Sequence, residues 1–177
     1  MGRADFLYSG FISKLAYPPT TCQDALLRKV ADFVSSDEDD ILVVNGYAGT
    51  GKTTAVSAVI SLLKEYQTKC VLLAPTGRAA KVLSSYAGQQ AYTIHKHIYR
   101  QKSVGGDGFG QFSIAPNKDK ETLFVVDEVS LIGIDAGQQQ STASFGTGNL
   151  LEDLISFVRS GAECKVILIG DSAQLPP

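Results

Sequence analysis

The spacing of apolar positions changes period repeatedly along the chain. "TCQDALLRKVADFV" places Leu26, Val30, Phe33 and Val34 on one helical face, with Thr21 and Asp24 as a capping pair. "SSDEDD" ends that helix and reads as a solvated acidic turn. "ILVVNG" is a continuous apolar run, the pattern of a strand buried on both faces of a parallel sheet. From Lys52 to Tyr66, Val56, Val59, Ile60 and Leu63 return at helical spacing. "CVLLAP" predicts a second strand, "GRAAKVLSSY" a helix and "TLFVVDE" a third strand. "NLLEDLISFVRSG" predicts a helix with Leu151, Leu154, Ile155 and Val158 on its stripe, Asn149 as N-cap and Gly161 as stop. "KVILIGD" is a fourth strand. Strands alternating with helices predict an α/β fold with a mainly parallel sheet flanked by helices. Two stretches stand outside the alternation: glycine-rich 103–120, read as a small hairpin, and polar, small-residue 136–148, read as a mobile loop.

Composition adds limits rather than direction. A chain of 177 residues suits one domain, and 44% hydrophobic with 19% charged residues is ordinary globular composition. A net charge of -2 argues against a module that clamps long runs of nucleic-acid phosphate, but leaves room for a narrow basic track. Cys22, Cys70 and Cys164 are far apart and form no C-x-x-C pair, so neither a disulfide framework nor a zinc site is expected. Reduced cysteines fit an interior compartment. No apolar run approaches membrane-spanning length, and Arg3 and Asp5 interrupt the start of the chain. The expectation is a soluble, intracellular chain, cytoplasmic or nucleoid-associated, with no membrane partner.

The chemistry begins at "NGYAGTGKTT", where Gly46 and Gly51-Lys52-Thr53 fit the phosphate-loop pattern G-x-x-x-x-G-K-[ST]. Gly46, Gly49 and Gly51 let the backbone curl so that N–H groups, including those at Thr50 and Thr54, face phosphate oxygens at a helix start. Lys52 reaches the β and γ phosphates and Thr53 offers a hydroxyl to Mg²⁺, which makes ATP the expected ligand. In "LFVVDE", Asp127 ends a buried strand and suits Mg²⁺, while Glu128 suits a base that activates water. In "LIGDSAQLPP", Gln174 can hydrogen-bond the γ phosphate and register its loss without competing for the metal.

In that order, "GYAGTGKTT", "APTGRAAKVLS", "TIHK", "VVDEVS" and "GDSAQLPP" resemble motifs I, Ia, Ib, II and III of superfamily 1 helicases. The closest flavour is the RecD-like and Dda-like branch, whose members move 5′ to 3′ on single-stranded DNA. The resemblance spans about residues 20–177 and implies a P-loop NTPase of RecA-like fold. It divides the single domain into an N-terminal segment with an adenine-side helix (1–40) and a core (41–177). It implies that Gln23 reads the adenine edge. It also implies that Pro75, Thr76, Gly77 and Arg78, with Thr93, His95 and Lys96, meet the DNA backbone, where hydroxyls, N–H groups and cations suit phosphates. Tyr92 and Tyr99 could stack on bases, although an aromatic in a helical stretch more often belongs to the core. Work in DNA repair or recombination is the setting the resemblance suggests.

Motifs IV to VI and their arginines do not occur in these residues. The expected partner is therefore a second RecA-like domain C-terminal to Pro177. Without arginines that contribute on the order of 10³–10⁵ in related hydrolases, the isolated domain should turn ATP over weakly or not at all. Two other readings stand beside the helicase motor. One is a P-loop ATPase or kinase unrelated to nucleic acid, and the other is a nucleotide-dependent binding module that never hydrolyses.

Overall fold

The computed structural model describes residues 2–46, 51–104, 110–129, 144–145 and 150–171. Six helices and eight strands are described: α1 Arg3–Ser13, α2 Thr21–Ser35, β1 Ile41–Gly46, α3 Lys52–Glu65, β2 Cys70–Ala74, α4 Gly77–Ala87, β3 Ala91–Thr93, α5 Ile94–Ile98, β4 Tyr99–Val104, β5 Gly110–Ile114, β6 Leu123–Val126, β7 Ser144–Phe145, α6 Leu150–Arg159 and β8 Lys165–Asp171.

Five strands form one parallel sheet in the order β1-β8-β6-β2-β3. Its central register pairs Leu72 with Val125 and Val125 with Ile167. Because successive side chains of a strand point to opposite faces, each apolar run feeds two cores. Leu72, Val125, Ile167 and Ile169 pack with α1, α2, α3 and α4 through Phe11, Leu27, Ile60 and Leu83. Leu73, Phe124, Val126, Val166 and Leu168 pack on the other face with α5 and α6 through Ile94, Ile98, Leu154 and Phe157. Each fully buried Leu, Ile or Phe contributes roughly 1.5–3 kcal/mol. The sheet of parallel strands with helices on both faces is the α/β, RecA-like P-loop fold expected above.

Four details differ from the sequence reading. The α2 cap is one residue earlier than the Thr21–Asp24 pair. Thr20 Oγ1 accepts the Gln23 N–H at 3.2 Å, and Gln23 Oε1 accepts the Thr20 N–H at 3.0 Å. Asp24 instead accepts from Arg28 Nε at 3.0 Å and from the Tyr8 hydroxyl. The buried stripe of α6 runs through Asp153, Leu154, Phe157 and Val158, while Leu151 and Ile155 are half-buried. Helix α1 has no counterpart in the apolar pattern. Tyr92 lies on a strand, 41% exposed, whereas Tyr99 is buried in the core.

The glycine-rich stretch does contain a hairpin arm. β4 pairs antiparallel with β5, beginning earlier than expected at Tyr99, and β7 joins β5 in parallel. Of 136–148 only Ser144–Phe145 is described, so the mobile-loop reading lies outside the described residues. Asn149 does too, while the Gly161 N–H closes the end of α6 on the Val158 carbonyl at 3.2 Å. Lys165 ties β8 to the end of α2, donating to the carbonyls of Phe33 at 2.9 Å, Val34 at 3.3 Å and Ser36. These are carbonyls that a helix end leaves without internal partners. All three cysteines are free, and among the described residues no helix is long and apolar enough to cross a membrane.

Candidate functional site

The chemistry-bearing segments all follow the C-terminal ends of parallel strands. The phosphate-loop pattern follows β1, Asp127 and Glu128 follow β6, Pro75 to Arg78 follow β2, and Thr93 to Lys96 close β3 and open α5. In open α/β sheets this edge is where ligands bind.

Helix α3 starts at Lys52, so its side chain and that of Thr53 stand at a helix N-terminus, where the field favours anions. Gly51, the N-cap, has φ +76, a left-handed conformation that suits glycine. A Cβ there would sit 2.3 Å from Gln23 Nε2, because that amide donates to the Gly51 carbonyl at 3.0 Å. Gln23 therefore spends its amide within the chain, closing the α2 cap with one end and holding the phosphate-loop end with the other. Thr53 and Thr54 are exposed. Gly46 ends β1, while Gly49, Thr50 and Gln174 lie outside the described residues.

Asp127 is 7% exposed. Its Oδ1 accepts the Glu128 N–H at 2.9 Å and lies 4.0 Å from Lys52 Nζ. That separation is an ion pair without a closed hydrogen bond, so each group keeps capacity for a third partner. Its Oδ2 accepts the Tyr86 hydroxyl at 2.6 Å. Burial, then the Asp127 charge and hydrogen bond, with Glu128 beyond, push the Tyr86 phenol far above its ordinary value, so it stays a neutral donor.

Glu128 has φ +60, a conformation that costs a non-glycine residue on the order of 1–3 kcal/mol. The hydrogen bonds on either side explain it. The Asp127 N–H bonds Leu73 of β2 at 3.0 Å, whereas the Val129 N–H bonds Ile169 of β8 at 2.9 Å. In a regular strand, residues two apart address the same neighbour. The turn at Glu128 redirects the chain from one neighbour to the other and leaves the Glu128 side chain half-buried at the sheet edge.

The second group is simpler. Thr76 caps α4 by accepting the Ala79 N–H at 3.1 Å, and Thr93 caps α5 by accepting the Lys96 N–H at 3.2 Å. Each hydroxyl still has a proton to donate outward. Arg78 and Lys96 are exposed, Pro75 is buried, and His95 is half-buried with its ring 5.7 Å from Tyr99. The phosphate-site candidates Lys52 and Asp127 are thus brought together, while the track candidates line an adjoining stretch of the same edge.

Tyr86, which donates to Asp127, is the contact that sequence reasoning missed. It lies 41 positions from Asp127, and nothing in its spacing separates it from a core tyrosine.

The five-stranded parallel sheet flanked by helices, with a helix-start lysine facing a buried carboxylate at its edge, is that of a P-loop nucleotide-binding domain of RecA-like fold. The description "AAA domain" covers a family whose model matches residues 22–177, and the chain belongs to that family, in its RecD-like superfamily 1 helicase branch, as a first motor domain. The ATP-dependent RecD2 DNA helicase of Deinococcus radiodurans is 35% identical over 137 residues, covering 77% of this chain and 16% of that protein. The ATP-dependent DNA helicase dda of Enterobacteria phage T4 is 31% identical over 143 residues, covering 77% of this chain and 28% of that protein. The RecBCD enzyme subunit RecD of Mycobacterium tuberculosis is 27% identical over 171 residues, covering 84% and 26%. The chain thus spans less than a third of the length of each of these relatives.

Proposed function

We propose that this domain binds Mg²⁺-ATP at the β1 and β6 strand ends and, with a second motor domain, hydrolyses it to move along single-stranded DNA. The observation that carries the reading is the facing pair of Lys52 and Asp127 at 4.0 Å, each at the end of an element that presents it to the sheet edge. The donor set suits the ligand. A buried carboxylate with unused lone pairs and a threonine hydroxyl are hard oxygen donors, so Asp127 and Thr53 would hold Mg²⁺. Bound there, the ion would neutralise phosphate charge. Lys52 binds the β and γ phosphates, and Gly46, Gly49, Thr50, Gly51 and Thr54 cradle the chain of phosphates. Glu128 orients a water and takes its proton, and Gln174 registers the γ phosphate. Gln23 would have to exchange its hydrogen bond to Gly51 for one to adenine.

On the track side, the free hydroxyl protons of Thr76 and Thr93, and the cations of Arg78 and Lys96, suit backbone phosphates; Pro75 and His95 would shape that surface. Such contacts carry no base information, so binding should be sequence-tolerant. Movement from 5′ to 3′ and a role in DNA repair or recombination belong to the same reading. So does an interior location.

The test uses a protein containing both motor domains. Single-stranded DNA should stimulate ATP hydrolysis. Arg78→Ala or Lys96→Ala should weaken binding of two unrelated oligonucleotides equally, each flattening the salt dependence by up to about one unit of slope. Hydrolysis indifferent to DNA would favour an ATPase that does not act on nucleic acid, and nucleotide binding without hydrolysis would favour a binding module.

A further inference from the structure

We propose that Tyr86 is a positioning residue for the cation-binding carboxylate, fixing Asp127 through its phenol hydroxyl. The inference rests on the reading of Asp127 as a Mg²⁺ ligand and deepens it. Tyr86 is held at both ends. Its carbonyl accepts the Ser57 hydroxyl at 3.0 Å, which pins the last turn of α4 to α3, the helix that opens with Lys52 and Thr53. Its hydroxyl donates to Asp127 Oδ2 at 2.6 Å. The Glu128 N–H holds the other carboxylate oxygen at 2.9 Å. Two donors on two oxygens fix the plane of the carboxylate.

The chemical type of the donor matters as much as its place. A phenol orients a carboxylate while leaving its negative charge intact for a cation. An ammonium or guanidinium at the same hydrogen-bonding distance would compete with the metal. Lys52, the cation present, stops at 4.0 Å. Partners that orient a metal-binding group in this way typically change metal affinity by about 10–100-fold when removed.

Tyr86→Phe removes one oxygen and no packing carbon, which makes it the direct test. ADP binding by this 177-residue chain would be measured by calorimetry across a Mg²⁺ series and in EDTA. The expected result is a Mg²⁺ midpoint about 10-fold higher in the variant, with ADP affinity in EDTA within about twofold of wild type. Equal midpoints would overturn the proposal, and so would a loss of affinity of the same factor in EDTA as in Mg²⁺, which marks a merely structural tyrosine. Wild-type binding that ignores Mg²⁺ would instead remove the metal reading of Asp127 and the proposal with it.

Discussion

Asp127 and Asp153 are both buried carboxylates that accept a tyrosine hydroxyl, from Tyr86 and from Tyr99, yet they stand in different settings. Asp153 is 1% exposed and lies on α6, on the face that carries Leu154 and Phe157 into the second core. Asp127 stands at the end of a central parallel strand, with a lysine 4.0 Å away and a second carboxylate next in sequence. Burial and a phenol partner are therefore not enough to mark a ligand site. In Asp153 they satisfy a polar group inside a core, where an unmet acceptor is costly. In Asp127 the same pairing leaves a charge oriented at the edge of a sheet where ligands can reach it. Position in the topology separates the two.

The largest effect that would break this contrast comes from the lysine. Hydrogen bonds to charged groups are worth about 1.5–3 kcal/mol, so Lys52→Ala should weaken Mg²⁺-ADP binding on the order of 100-fold while the fold persists. Calorimetry and circular dichroism check both halves, and unchanged heats would detach the lysine from the ligand. In a protein with both motor domains, Glu128→Gln should keep nucleotide affinity and slow hydrolysis by about 10² or more, the usual cost of losing a general base. Near-normal turnover would make Glu128 structural.

Next in size is the structural member of the pair. Tyr99→Phe leaves the Asp153 carboxylate one donor short, so the melt should lose about 1–3 kcal/mol with no change in ADP affinity. A weakened ADP site would mean that the two aspartates are coupled.

Much of this was legible in the residues, for identifiable reasons. β2, β6 and most of β8 are buried on both faces and so read as continuous apolar runs, whereas β1, which reads the same way, is an edge strand with Val43 57% exposed and Ile41 and Leu42 half-buried. Lys52 and Asp127 announce themselves because each lies beside such a run. Helix α1 does not, since only Leu7 and Phe11 are buried and Gly10 reads as a breaker. In the fold that glycine is an approach point, where a Cβ would come 2.6 Å from Leu62 Cδ2 of α3. Asp153 was invisible because apolar periodicity assigns every aspartate to the wet face. Tyr86 and Tyr99 were invisible as partners because their aspartates lie 41 and 54 residues away.

The smallest predicted effect concerns His97, whose ring packs edge-on against Phe124 and Phe157. Burial, opposed by Asp119 and reinforced by Lys69, holds its pKa below the ordinary 6.5. The unfolded chain then binds the proton more readily, so this contribution is complete above pH 6.5 and is lost as pH falls through the lower folded value. Asp24 and Asp40 are lowered from 3.8, so they add nothing in that window. Melts between about pH 7.5 and 5 should slope less in His97→Gln than in wild type, and equal slopes would place the titration elsewhere.

The contrast between the two aspartates is tested most directly by titrating ADP, with and without Mg²⁺, into Asp127→Asn and Asp153→Asn. Asp127→Asn should lose the Mg²⁺-dependent part of its affinity and keep its melting temperature. Asp153→Asn should melt earlier and bind as wild type does. Wild-type Mg²⁺ dependence in Asp127→Asn would contradict that contrast.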